Sequence, residues 1–123
     1  MKHELLEQLS YEARVLLENV YGRHNDLAGK CGIASLYLMR LARRNGIKVV
    51  FCHGFFENRW SHCWVQYGNI VYDITATQFG KFERVYVASP ESNRLIYYIT
   101  KISEAKEFIE SWCNPVDIKK LFG

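Results

Sequence analysis

The sequence predicts an α+β fold in which helices pack on an antiparallel β-sheet. Three observations carry that prediction. Apolar residues recur at helical spacing through two stretches in the first half of the chain, around Leu5 to Val20 and Cys31 to Ala42. From Ile47 the pattern changes to short runs rich in β-branched and aromatic residues. Between two of those runs stands Gly68-Asn69, a dipeptide suited to a two-residue hairpin turn. At 123 residues the chain fits one packed core and is too short for a separate cofactor-binding lobe. An aromatic share of 15% agrees with a core that contains a sheet.

The first helix is expected over residues 4–20, with Leu5, Leu6, Leu9, Ala13, Leu16, Leu17 and Val20 turned inward. Glu4, Glu7, Glu12, Arg14 and Glu18 fill its outer surface in this reading. Tyr21 to Asp26 breaks the pattern with Gly, Asn and Asp and reads as a loop. A second helix, from about Lys30 to Asn45, turns Cys31, Ala34, Tyr37, Leu38, Leu41 and Ala42 inward and stops at Asn45-Gly46.

Ile47 to Phe56 reads as a central strand, and Glu57 to Trp60 as the turn after it. Ser61 to Tyr67 and Ile70 to Thr75 then form a hairpin about Gly68-Asn69. That turn sets the register: Tyr67 faces Ile70, Gln66 faces Val71, Trp64 faces Asp73 and His62 faces Thr75. His62 and Asp73 thus share one face as diagonal neighbours, while Cys63, Val65, Tyr67, Ile70, Tyr72 and Ile74 form an apolar opposite face. Ala76 to Phe82 is loop-like, and Arg84–Ala88 and Leu95–Ile99 are further strands about a turn at Pro90. Ser103 to Trp112 has the pattern of a helix capped by Ser103, and Asn114 to Gly123 reads as a short tail around Pro115.

A net charge of +3 is too small to point to nucleic acid, which normally leaves a pronounced basic patch. Arg40, Arg43, Arg44 and Lys48 cluster at a helix end, where cations complement the dipole and form a solvated face. The N-terminal residues carry acids every few positions and have no long apolar run, so neither a signal peptide nor a membrane span is expected. A cytoplasmic protein with four reduced cysteines follows from that reading.

Chemistry concentrates at Cys31. A thiol at a helix N-terminus meets the positive end of the macrodipole and unpaired N–H groups, which favour its thiolate. A cysteine that breaks or makes acyl bonds also needs an imidazole, a group orienting that imidazole, and donors for an oxyanion. His62 and Asp73 supply the first two needs. For the oxyanion the candidates are the backbone N–H of Cys31 and the side-chain amide of Asn25, with Gln78 as the other amide at hand. Trp60, with Phe55 and Phe56, suits either a substrate cleft or a partner surface. Cys52-His53 and His62-Cys63 do not make a zinc site, because adjacent strand residues point to opposite faces and the usual C-x2-C spacing is missing.

Three segments, Gly29-Lys30-Cys31-Gly32-Ile33-Ala34-Ser35, Ser61-His62-Cys63-Trp64-Val65 and Val71-Tyr72-Asp73-Ile74-Thr75-Ala76-Thr77-Gln78-Phe79, resemble the transglutaminase-like, papain-like cysteine-enzyme superfamily. In that group a Cys on a helix N-terminus, a His opening one strand and an Asp on the next occur in this order. The resemblance covers about residues 26–80. It implies a Cys31-His62-Asp73 triad in a single domain over 1–123, with an N-terminal helix (4–20), a catalytic core (26–80) and C-terminal strands and a helix (84–123).

The expected activity is that of a thiol hydrolase or acyl transferase acting on a peptide or glutamine-type amide through a Cys31 thioester, with a protein or peptide substrate and no cofactor, metal, nucleic acid or membrane partner. Protease, deamidase and transglutaminase chemistry differ only in leaving group and acceptor. The alternative is a non-enzymatic protein-binding domain that keeps the fold around an idle site.

Overall fold

In the computed structural model, residues 1–22, 27–56, 60–80, 83–89, 100–102 and 113–122 are described. Helix α1 (Lys2–Tyr21) and helix α2 (Cys31–Arg44) follow the apolar spacing closely. α2 closes with a Schellman motif: the Gly46 N–H donates to the Arg43 carbonyl at 3.1 Å and the Ile47 N–H to the Ala42 carbonyl at 2.9 Å. Gly46 supplies the positive φ of 75° that this closure needs. Because Ile47 completes the helix cap, strand β1 starts later than its composition predicts, at Val50, and runs to Phe56.

β2 (Trp60–Tyr67) and β3 (Ile70–Asp73) form the hairpin, and β4 (Tyr86–Ala88) and β5 (Thr100–Ile102) complete the sheet. The strand order is β4-β3-β2-β1-β5, with every pairing antiparallel. The chain is therefore α+β, as the sequence predicts. Next to the turn the hairpin has the expected register, Tyr67 opposite Ile70, Gln66 opposite Val71 and Val65 opposite Tyr72, but the ladder stops there and the expected pairings of Trp64 with Asp73 and His62 with Thr75 are not part of it. Gly68, at φ 60°, takes the first central position of the turn, which a residue with a Cβ rarely adopts.

The two faces of the sheet are buried in separate clusters. Cys63, Val65, Tyr72 and Ile74 join Leu6, Leu9, Ala13, Leu17, Ala34 and Leu38 beneath the helices. Cys52, Trp64, Val71, Ala76, Tyr86 and Ala88 gather on the other side. Since burial of a large apolar side chain stabilises by about 1.5–3 kcal/mol, the helix-covered face supplies most of the packing energy described.

Four expectations are corrected. β3 ends at Asp73, because the Asp73 carboxylate accepts the Thr75 N–H at 2.9 Å and turns the chain. The next residues, Ala76–Phe79, form a 3-10 helix where a loop is expected. Residues 115–122 form helix α3 (Pro115–Phe122), not a tail: Pro115 occupies the first helical turn, and the Asn114 side chain accepts the Val116 N–H at 2.8 Å as a cap.

Arg14 and Glu18 are buried, at 3% and 7% exposure, although the sequence places them outside. Arg14 bridges α1 to the segment after β3, donating to the Ile74 carbonyl at 2.8 Å, the Thr77 hydroxyl at 2.9 Å and Glu18 at 2.9 Å. Arg84 closes the network on Glu18 through two contacts. The turn at 57–59, the strand expected at 95–99 and the helix expected at 103–112 lie outside the described residues. No described helix is long and apolar enough to cross a membrane.

Candidate active site

The site begins with the turn that leads into α2. Leu27 adopts a left-handed conformation (φ 63°), and its carbonyl accepts the Lys30 N–H at 3.0 Å. A leucine there is disfavoured by about 1–2 kcal/mol. Its complete burial, worth about 1.5–3 kcal/mol, offsets that strain.

Lys30 is also fastened from outside the turn. Its ammonium sits 3.1 Å from both carboxylate oxygens of Asp117 in α3, and Asp117 accepts the Tyr21 hydroxyl at 2.6 Å. The residue before Cys31 is thus tied to the end of α1 and the first turn of α3. No described side chain caps α2, and its first turn holds no carboxylate. The positive end of the helix therefore meets the Cys31 sulfur without an acidic competitor.

The facing groups come from the hairpin. His62 Nε2 lies 2.6 Å from Asp73 Oδ2, and the two residues are 0% and 1% exposed. The second oxygen of Asp73 holds the Thr75 N–H, so the backbone of the turn fixes the carboxylate's orientation. Asp73 takes Nε2, the Gln78 amide nitrogen lies 3.3 Å from the other ring nitrogen, Nδ1, and Cys31 is near enough to act on the charge of the ring. Phe79 meets the imidazole edge-on at 4.7 Å and Trp64 stacks beside it at 6.1 Å, which keeps water from the ring.

β2 pairs with β1 from Trp60 to Gln66 but with β3 only from Val65 to Tyr67. Residues 60–64 consequently have no paired strand on the β3 side among the described residues, and the start of α2 meets β2 there. The neighbours that act on the Cys31 thiol are Cys63 and His62.

These contacts set the charges. The Cys63 hydrogen bond, aided by the His62 charge, outweighs burial and draws the Cys31 thiol down to about 5. Burial would lower His62, but the charge and hydrogen bond of Asp73, followed by Cys31, hold it up at about 10. Both directions favour the charged forms, a thiolate at Cys31 and an imidazolium at His62.

Cys31, His62 and Asp73 are therefore brought together. Gln78 joins them from the 3-10 helix: its amide nitrogen lies 3.3 Å from His62 Nδ1 and donates to the Thr75 carbonyl at 3.1 Å. Trp60 opens β2 two residues before His62 and is 53% exposed. Asn25 lies outside the described residues. Among the described residues no group of His, Cys, Asp and Glu side chains is arranged to hold a metal ion.

Sequence reasoning missed the Lys30–Asp117 tie. A signal for buried Arg14 was present, since with Ser10 it falls in the helical row of Leu6 and Leu17. Compared with protein-family models, with curated proteins and with solved structures, the chain matches none.

Proposed function

We propose that this protein is a cysteine-dependent hydrolase or acyl transferase of the transglutaminase-like, papain-like kind, acting on a peptide or glutamine-type amide. The observation that supports the reading is a buried imidazole 2.6 Å from a buried carboxylate, with the thiol that starts α2 near enough to act on its charge. The Cys31 thiolate adds to the amide carbonyl carbon, and the resulting oxyanion is stabilised by the Cys31 backbone N–H at the helix start. Protonated His62 gives its proton to the departing nitrogen as the C–N bond breaks, leaving a Cys31 thioester and a free amine. Neutral His62 then takes a proton from water or an acceptor amine as that nucleophile attacks the thioester, and the thiolate leaves.

Asp73 supports both steps by holding Nε2–H, so that Nδ1 faces the sulfur. The test is alkylation by iodoacetamide at neutral pH with peptide-level readout. Cys31 is expected to react faster than Cys52, Cys63 and Cys113, and His62→Ala removes the preference. Cys31→Ala abolishes both labelling at that position and trapping of an acyl-enzyme from activated amide or ester probes. Uniform slow labelling of all four thiols refutes the enzyme and favours a binding domain.

A further inference from the structure

The imidazole of His62 is engaged at both nitrogens. Asp73 Oδ2 lies 2.6 Å from Nε2, and the Gln78 amide nitrogen lies 3.3 Å from Nδ1. One residue joins the two partners: Asp73 Oδ1 accepts the Thr75 N–H at 2.9 Å, and Gln78 Nε2 donates to the Thr75 carbonyl at 3.1 Å. His62, Asp73, Thr75 and Gln78 thus close a ring of hydrogen bonds. The short helix that carries Gln78 is itself pinned, because buried Arg14 donates from α1 to the Ile74 carbonyl at 2.8 Å and to the Thr77 hydroxyl at 2.9 Å.

Donor and acceptor roles follow around that ring. A carbonyl oxygen only accepts, so the Gln78 atom beside the Thr75 carbonyl is the amide nitrogen, which only donates. One of its hydrogens goes to Thr75 and the other to Nδ1, which therefore offers a lone pair. The Asp73 carboxylate also only accepts, so Nε2 carries the ring proton. This is the pattern of neutral His62 in its Nε2–H tautomer.

We propose that Gln78 is a positioning residue for His62: its amide holds Nδ1 of the neutral ring and steadies the form that remains once the imidazole has given its proton to the departing amine. The inference rests on the reading of His62 as the proton carrier. It removes Gln78 from the candidates for the oxyanion, since both amide hydrogens are taken.

Asp73 and Gln78 pull on the ring in opposite senses. The carboxylate favours the charged imidazole. An N–H aimed at Nδ1 favours the neutral one, because a protonated Nδ1 would meet the amide hydrogen to hydrogen. The titratable groups acting on the ring are Asp73 from β3, Cys31 from α2 and His53 from β1. Gln78 is uncharged and acts through the direction of its N–H, so a substitution that keeps its bulk separates its effect from theirs.

The experiment follows the ring nitrogens of His62 by NMR across pH, in the full chain and in Gln78→Leu and Gln78→Glu. Above the titration midpoint of the unaltered protein, Nε2 is expected to carry the proton and Nδ1 to show the shift of an unprotonated, hydrogen-bonded nitrogen. Gln78→Leu loses that hydrogen-bond signature, and the midpoint rises by about half a unit to one unit, a change of about threefold to tenfold in the acid dissociation constant. Gln78→Glu, which accepts from a protonated Nδ1, raises it further.

An unchanged midpoint and an unchanged Nδ1 shift in Gln78→Leu overturn the proposal, as does a neutral ring protonated at Nδ1 in the unaltered protein. Selective labelling of Cys31 by iodoacetamide then still leaves the enzyme standing. Uniform slow labelling of all four thiols removes the reading beneath the proposal, whatever the ring nitrogens show. Should Gln78→Leu fail to fold, Gln78→Met makes the same comparison with an unbranched chain and no N–H, and an unshifted midpoint there is equally fatal.

Discussion

Two imidazoles stand one position apart in the β1–β2 ladder, yet they are in opposite states. His62 pairs with Gly54 and His53 with Cys63, so the rings lie on opposite faces of the sheet. His62 is fully buried against the Asp73 carboxylate and is held up at about 10. His53 is half-buried, its Nε2 lies 2.9 Å from the Ser61 hydroxyl, and burial lowers it against only a partial pull from Cys31. Burial acts in the same direction on both, so the carboxylate decides the charge. Proximity to Cys31 is not enough.

The hardest way to break this contrast is Asp73→Asn, which leaves the shape and removes the charge. His62 should then resemble His53: its titration, followed by NMR of the ring, moves down from about 10 and becomes unfavourable to the imidazolium. Turnover should fall by about a hundredfold or more, with a smaller change in KM, because both the tautomer and the ion pair suffer. Unchanged turnover would remove Asp73 from the mechanism.

A second test sharpens the contrast through pH. Acid protonates the Cys31 thiolate and alkali deprotonates the His62 imidazolium, so kcat/KM is expected to hold a plateau between about 5 and about 10 and to fall on both sides. Stability follows the same two groups. The folded-state rise of His62 from 6.5 stabilises fully below about 6.5, and that contribution is lost as pH rises through about 10. The fall of Cys31 from 9.0 stabilises fully above about 9, and that share is lost as pH drops through about 5. Denaturant titrations across the range check both signs.

The smallest effect belongs to His53→Gln, which removes the ring without a carboxylate. Turnover should stay well within the roughly hundredfold loss that marks removal of a proton-transferring group. A loss of that size would show that the half-buried imidazole handles protons too.

Much of this arrangement is legible in the sequence where a local rule suffices. Gly68 dictates the hairpin, the hairpin dictates the register, and the register puts His62 and Asp73 on one face. Local rules fail where a residue serves two elements. Ile47 has the composition of a strand, but its N–H completes the α2 cap. Asp73 reads as part of a strand, and its own carboxylate ends that strand. Pro115 resembles a chain breaker and instead opens α3 behind the Asn114 cap.

Long-range burial is the other gap. Arg14 looks solvated until the Ile74 carbonyl, sixty residues away, takes its proton donor.

The tie between Lys30 and Asp117 spans 87 positions of chain. During synthesis, α2, the hairpin and Asp73 are all made before that carboxylate exists. The sulfur can meet its imidazole early, but the residue next to it is anchored only once α3 has been made and has docked.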